Sequence, residues 1–193
     1  MIEIWKNVVV EGKEHPWYSV SNFGNIVSHL RPGTGKYDPN YRRVMKPVSR
    51  GGKDGRRHLR VKLFFPENFF EDYSYSKFSK TSSTVSRKRD VHQLVMEAFH
   101  PMDEYPPDKL KECWNIIPKA AKKWIKESVT INHKDHNPTN NFVNNLEYTT
   151  PKGNSHAAVN YYGGNFSNKG KKQLKIIKPF FNPLFQEWEY NTV

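Results

Sequence analysis

A segment late in the chain, residues 129–159, combines histidine and asparagine in a pattern that could do chemistry. Asn132 and His133 are adjacent, and Asn154 follows after a stretch rich in Asn, Asp and Pro. An imidazole has an ordinary pKa near ~6.5 and can accept a proton at neutral pH. Amide oxygens are ligands that a hard cation such as Mg²⁺ accepts. These residue types suit proton transfer beside a cation, provided that the fold brings them together.

Local patterns predict a hairpin followed by a helix in this segment. Val129 and Ile131 are apolar at alternate positions, which predicts a short strand with Asn132 on its opposite face. A loop precedes a second strand at residues 146–149. Thr150 is a suitable N-cap before Pro151, so a helix containing Asn154 is predicted up to about residue 159. A hairpin packed on a helix can bring Asn132, His133 and Asn154 around one point.

This segment resembles the ββα-metal motif of HNH (His-Asn-His) nucleases, especially the homing endonucleases of phages and mobile introns. VHQLVMEAF at residues 91–99 resembles the helix that leads into that motif. At the N-terminus, EIWK at residues 3–6 and WYSVSNFGNIVS at residues 17–28 resemble the NUMOD-type DNA-binding module of many such nucleases. The resemblance implies a metal-dependent DNA endonuclease.

The same resemblance implies roles for individual residues. His133 is expected to be the general base that deprotonates the attacking water. Asn132 and Asn154 are expected to offer oxygens to one Mg²⁺ or Mn²⁺ ion. Asn145 would complete the catalytic group by tying the loop back, so that His133 points at the scissile phosphate. The implied products have 5′-phosphate and 3′-hydroxyl ends, and one site per chain makes a nick the simpler outcome.

Three alternatives stay open at these positions. His136 and His156 are possible accessory residues, for which a role other than metal ligation is favoured. A zinc site from His133, His136, His156 and Cys113 has suitable atoms but lacks the close spacing of structural zinc. Asn132 stands where some members of the resembling family carry Asp and others carry Asn, and a neutral amide attracts a cation less strongly than a carboxylate. The alternative function is therefore a non-catalytic DNA-binding protein on a degenerate HNH fold.

The charge of the chain favours a polyanionic partner. The 193 residues include 31 Lys and Arg against 19 Asp and Glu, a formal net charge of +12. Three basic stretches, residues 42–62, 77–89 and 169–178, suit contacts along a phosphate backbone, although each alone could be solvated surface. The candidate DNA contacts are Arg42, Arg43, Arg56, Arg57, Arg60, Lys62, Arg87, Lys88, Arg89, Lys169, Lys171 and Lys172.

Other classes are disfavoured by what the sequence lacks. No apolar run approaches the roughly 18 residues of a spanning helix, and the N-terminus has no signal-peptide pattern. Cys113 is the single cysteine, which excludes an internal disulfide. The expectation is an intracellular protein, in the host cytoplasm if phage-encoded. It would act as a monomer on double-stranded DNA, with no membrane and no small-molecule cofactor.

We predict an α+β chain with four parts. They are a β-rich NUMOD-type module at 1–63, a basic Ser-rich loop or hairpin insert at 64–89, an HNH core at 90–160 with a helical insert at 101–128, and a basic linker with a terminal hairpin at 161–193. Residues 58–63 alternate as a strand with Arg60 and Lys62 facing outward.

The insert and the aromatic residues carry further expectations. Leu110, Trp114 and Ile117 predict one helical stripe, and a second helix is predicted from Pro118. A helix that ends before Pro101 is predicted from five residues at the spacing of one helical face: Val91, Leu94, Val95, Ala98 and Phe99. On this helix, His92 is expected to pack or to make a supporting hydrogen bond. Four tryptophans are expected in the core: Trp5, Trp17, Trp114 and Trp124.

Overall fold

The computed structural model describes residues 2–49, 58–66, 69, 84–162, 180–182 and 187–189. The protein divides into two compact units, Met1–Ser155 and His156–Val193. The strands are β1 (Trp5–Val10), β2 (Lys13–Ser21), β3 (Ile26–Ser28), β4 (Arg43–Val44), β5 (Val48–Ser49), β6 (Leu59–Pro66), β7 (Thr84–Asp90), β8 (Thr130–His133), β9 (Leu146–Thr149), β10 (Phe180–Asn182) and β11 (Glu187–Glu189). The helices are α1 (Val91–Phe99), α2 (Lys119–Ser128) and α3 (Pro151–Tyr162).

The first four strands form an antiparallel sheet in the order β1-β2-β3-β4. Its inner side chains are fully buried, as the apolar residues of these short strands predict. The turn at residues 22–25 joins β2 to β3, and Gly24 has a φ of 84°, a conformation that glycine adopts without strain. The expected β-rich N-terminal module is therefore confirmed as a fold.

A second sheet has three antiparallel strands in the order β5-β6-β7, of which β6 and β7 form a long hairpin. Pairing runs from Arg60 opposite Asp90 to Pro66 opposite Thr84. Val61, Leu63 and Phe65 are buried on one face, which agrees with the predicted alternation. Of the two structures expected at 64–89, the described ends form a hairpin, and the remaining residues of that stretch, apart from Phe69, lie outside the described part.

Helix α1 packs on β1, β2, β6 and β7, and it completes one hydrophobic core. Val91, Leu94, Val95 and Ala98 are buried on the face predicted from their spacing. The valine and leucine side chains among them each contribute roughly 1.5–3 kcal/mol when fully buried. The core therefore joins the N-terminal sheet to helix α1.

Two expectations for the insert are wrong. Residues 108–117 form two short 3₁₀ helices, Asp108–Leu110 and Trp114–Ile116, instead of one helical stripe. Pro118 restricts the residue before it, and Ile117 is extended, so a helix cannot continue there. The second helix, α2, does begin after Pro118, but Trp124 is 69% exposed and is not part of the core.

The other three tryptophans behave differently from Trp124. Trp114 is 2% exposed, and Trp17 packs against the main core. Trp5 is half-buried beneath the guanidinium of Arg42, 4.8 Å from its ring centroid. On α2, the apolar stripe of Ala121, Trp124 and Ile125 is narrow and flanked by lysines, so the helix buries no residue fully.

In the second unit, β10 and β11 pair as an antiparallel hairpin, where the sequence predicts the terminal hairpin. Across the described residues, no helix combines the length and apolar character needed to cross a bilayer.

Candidate functional site

The hairpin β8–β9 and helix α3 form a ββα arrangement in the predicted order. Asn132 lies opposite Glu147 and His133 opposite Leu146 across the two strands. Thr150 caps α3, because its Oγ1 accepts a hydrogen bond of 3.0 Å from the backbone N–H of Gly153. A Cβ on Gly153 would lie 2.6 Å from Oγ1 of Thr149, so glycine allows the helix to start directly after the strand.

Asn132 is a buried amide whose orientation is set across the hairpin. Its Nδ2 donates a 2.8 Å hydrogen bond to Oε1 of Glu147. With the nitrogen engaged, Oδ1 is the atom left to face a cation, which fits an ion that prefers oxygen ligands. Asn154, the other expected ligand, is half-buried in the first turns of α3. That the two share one cation remains a prediction.

His133 ends β8 with its side chain inside the protein, since the residue is only 5% exposed. Its Nε2 lies 3.3 Å from Oδ1 of Asn141. Burial lowers the pKa of His133, although the hydrogen bond to Oδ1 of Asn141 acts in the opposite direction. The ring is thus neutral at pH 7. If Nε2–H donates to the amide oxygen, Nδ1 is the nitrogen able to accept a proton.

Asn145 ties down the loop at residues 134–145. Its Oδ1 accepts a hydrogen bond of 3.1 Å from the backbone N–H of Asp135. Its Nδ2 donates to Oδ1 of Asp135 at 2.9 Å and to the carbonyl oxygen of Asn140 at 2.8 Å. Three hydrogen bonds from one side chain close the loop, which is the structural role expected for Asn145. Its effect on cleavage stays a prediction.

The turn at residues 22–25 supports the same loop from the N-terminal sheet. The carbonyl oxygen of Asn22 accepts a 2.9 Å hydrogen bond from the backbone N–H of Val143, and the rings of Phe23 and Phe142 stack at 5.3 Å. A Cβ on Gly24 would lie 2.6 Å from the Cβ of Asn141. The loop that holds the partner of His133 is therefore packed directly against the N-terminal module.

Three histidines from different elements meet at His133. Ring centroids of His58 and His92 are 4.8 Å apart, and those of His133 lie 5.4 Å from His58 and 5.2 Å from His92. One ring nitrogen from each lies within 4.8 Å of the others. The residue before β6, the first turn of α1 and the end of β8 are far apart in the chain. No spacing rule connects them, so this cluster could not be predicted from the sequence.

The other histidines considered for the site do not join this group. Among the residues that the structure describes, the cluster of three or more possible ligands consists of His58, His92 and His133. His136 is exposed with a φ of 58°, and His156 is also exposed. The structure thus gives no support to the zinc alternative built with His136, His156 and Cys113.

The predicted basic contacts fall into different environments. Arg60 does not project freely, since its guanidinium donates two hydrogen bonds to Asp90 at 2.7 and 3.2 Å and the side chain is 28% exposed. Lys62 and Lys88 are exposed and face each other across β6 and β7. Cross-strand partners share one face of a sheet, so the two ammonium groups lie on the same surface.

The remaining candidates are placed as follows. Arg42 and Arg43 are exposed, whereas Arg87 and Arg89 are half-buried, with Arg89 3.6 Å from Oε1 of Glu11. Five candidates lie outside the described residues: Arg56, Arg57, Lys169, Lys171 and Lys172. Whether any of these side chains contacts DNA stays a prediction.

Comparison with known proteins gives one motif and one structural likeness. Residues 3–60 match the NUMOD4 motif, so the expected NUMOD-type module is confirmed. The chain is also similar to a solved structure concerning DNA binding and cleavage by the HNH homing endonuclease I-HmuI, with 21% identity and a TM-score of 0.41. That similarity covers 83% of this chain and 59% of the other chain. No curated protein matches the chain.

Proposed function

We propose that this chain, which carries the NUMOD4 motif at residues 3–60, is a metal-dependent DNA endonuclease of the HNH type. The supporting observation is the ββα arrangement, in which Asn132 and His133 end one strand and Asn154 lies in the helix that follows the hairpin. The net charge of +12 is consistent with a nucleic-acid substrate.

Asn132 and Asn154 would hold the cation through their side-chain oxygens, and Mg²⁺ or Mn²⁺ fits this donor set. When bound, the cation would stabilise negative charge on the scissile phosphate and the departing 3′ oxygen. Glu147 fixes the amide of Asn132 through the 2.8 Å hydrogen bond to its nitrogen. The carboxylate thereby acts on the site through Asn132, which would otherwise be free to turn its nitrogen inward.

His133 would accept a proton from the attacking water. Its neutral state at pH 7 suits this role, because burial lowers the pKa of the imidazole. Asn141 would hold the ring through Nε2, and Asn145 would hold the loop that carries Asn141. General base catalysis of this kind contributes typically ~10²–10⁴-fold to a rate.

The form of the substrate, the ends of the products and the biological role belong to the same proposal. We propose that the substrate is double-stranded DNA, that the products carry 5′-phosphate and 3′-hydroxyl ends, and that a monomer nicks one strand per binding event. Homing of a mobile genetic element, such as one carried by a phage, is the biological role that such an enzyme would serve.

The test is direct. Purified protein is incubated with supercoiled plasmid and Mg²⁺, and the conversion to nicked and linear forms is followed on a gel. Cleavage that requires Mg²⁺ or Mn²⁺ and stops with EDTA is the expected result. Absence of cleavage on every DNA tried, including DNA to which the protein is shown to bind, would contradict the proposal.

A second candidate is a non-catalytic DNA-binding protein on the same fold. Two observations favour it: both expected ligands are neutral amides, and His133 is almost fully buried. Tight DNA binding without cleavage in the plasmid assay would select this candidate.

A further inference from the structure

The histidine cluster offers metal-binding chemistry that the proposed nuclease reaction does not use. His58 begins the segment that leads into β6, His92 lies in the first turn of α1, and His133 ends β8. One nitrogen of each lies within 4.8 Å of the others. The three side chains thus converge from three elements that are held by the same hydrophobic core.

His92 is the best-defined member of this cluster. It is 8% exposed, and its buried Nδ1 has no hydrogen-bond partner in the structure. A buried polar atom left without a partner costs roughly 1–3 kcal/mol. An unpartnered nitrogen on a buried member of the histidine cluster is an atom that a metal ion could satisfy.

Burial also favours the neutral form of His92, which is the form that can bind a metal. Burial lowers the pKa of His92 to about 3, and the neighbouring His58 and His133 lower it further. At neutral pH the ring of His92 is therefore a neutral imidazole with a lone pair to donate.

We propose that His58, His92 and His133 together bind one transition-metal ion, of which Zn²⁺ is the representative. Three neutral imidazoles suit Zn²⁺, Co²⁺ or Ni²⁺ and do not suit Mg²⁺, which prefers oxygen ligands. Zinc–nitrogen bonds of about 2.0–2.1 Å in a tetrahedral site place the ligand atoms about 3.4 Å apart. Binding an ion in this geometry would draw the three nitrogens, now within 4.8 Å of one another, closer together, and the fourth tetrahedral position would be available to water.

Occupancy of this site would control the proposed reaction, and this step rests on the proposed function. An imidazole that donates a lone pair to a metal keeps its proton on the other nitrogen at neutral pH. His133 could then accept no proton from water. The transition metal is thus an inhibitor, acting at a site distinct from the one that Asn132 and Asn154 would form for Mg²⁺.

Binding is tested first without DNA. The full chain is stripped of metal and titrated with Zn²⁺ by calorimetry and with Co²⁺ by visible absorption. Uptake of one ion per chain with the absorption of tetrahedral cobalt is expected. In separate variants, His58→Ala and His92→Ala should each weaken binding at least about tenfold, since even supporting residues of metal sites contribute that much.

His100→Ala is the matched control, since His100 follows α1 directly but its ring stacks on Tyr105 outside the cluster. Circular dichroism and the thermal midpoint establish that each variant is folded. His58 is half-buried, so His58→Ala keeps the test decisive if the more deeply buried His92→Ala does not fold. No uptake by the unaltered chain, or equal affinity in His58→Ala and the control, would overturn the site.

Inhibition is tested second, by cleavage in fixed Mg²⁺ with increasing Zn²⁺. Half-inhibition is expected at a Zn²⁺ concentration close to the dissociation constant measured in the titration. In His58→Ala, both values should rise together. Zinc uptake with undiminished cleavage would overturn the inhibitory role. If no condition supports cleavage, the proposed nuclease function fails, and the DNA-free titrations still decide whether the histidine site exists.

Discussion

The N-terminal sheet and the loop at residues 134–145 are held in place by different forces. The sheet β1-β2-β3-β4 rests on buried apolar side chains such as Val8, Val20 and Ile26. The loop contains few apolar groups and is held by hydrogen bonds among its asparagine and aspartate side chains. Hydrophobic burial is non-directional and tolerates small shifts, whereas hydrogen bonds fix atoms at set distances and angles.

This difference assigns separate tasks to the two regions. The core supplies most of the folding free energy, and the polar loop sets the position of Asn141 and hence of His133. Substitutions in the core should therefore change stability, and those in the loop should change activity more than stability. Substitutions at the junction between the regions, where Gly24 contacts Asn141, should change both stability and activity.

The largest expected effect is on the reaction itself. His133→Ala should lower the cleavage rate by about 10²–10⁴-fold, because the general base is removed. DNA affinity, measured by gel shift, should stay within a few-fold of the original, since His133 acts on the attacking water rather than on binding. His100→Ala serves as the control histidine and should cleave normally. Cleavage by His133→Ala at the original rate would remove the central assignment.

A core substitution should act on stability alone. Leu94→Ala removes a fully buried side chain of α1 and should lower the free energy of unfolding by about 2–5 kcal/mol. Chemical denaturation measures this change, and the cleavage rate of the folded fraction should stay unchanged. Ile116→Ala, at an 83% exposed position, should change stability by less than about 0.5 kcal/mol. Equal losses in both variants would contradict the described core.

The junction can be tested with two glycines. Gly24 and Gly12 have similar φ values of 84° and 77°, but only Gly24 has a neighbour within 4 Å of an added Cβ. Gly12→Ala should show the backbone strain alone, of order 1 kcal/mol. Gly24→Ala adds the contact with Asn141 and should cost a further ~1–3 kcal/mol while also slowing cleavage. Equal stabilities of the two variants would mean that this contact is not tight.

Within the loop, activity should fall more than stability. Asn145→Ala removes the three side-chain hydrogen bonds that close the loop, two of them to Asp135. The expected loss of stability is about 1–3 kcal/mol, with a fall in cleavage rate that exceeds that of Leu94→Ala. Asn144→Ala is the neighbouring exposed control. An unchanged cleavage rate in Asn145→Ala would show that the loop does not position His133.

The smallest effect concerns DNA contacts outside both regions. Replacing Lys62 and Lys88 together by Ala should weaken binding to all DNA alike, since phosphate contacts carry little sequence information. The slope of log affinity against log salt should fall by about two, roughly 0.9 for each lost contact. Lys119 and Lys123, exposed on α2, form the control pair. An unchanged slope would mean that this face of the β6–β7 hairpin does not meet the backbone.

Much of the local structure followed from the sequence. The spacing of Val91, Leu94 and Val95 predicted α1, the alternation at residues 58–63 predicted β6, and Thr150 with Pro151 predicted the start of α3. These signals succeed because strand and helix periods, caps and turns depend on residues close together in the chain. The N-terminal resemblance was likewise carried by two short continuous stretches, residues 3–6 and 17–28.

Tertiary structure decided what depends on distant residues. It brought His58 and His92 to His133, paired Arg60 with Asp90, and set Gly24 against Asn141. It also left Trp124 exposed, because the apolar stripe of α2 is too narrow to bury this side chain. Such contacts arise when separate elements pack on one core, and no local spacing encodes which side chains will meet there.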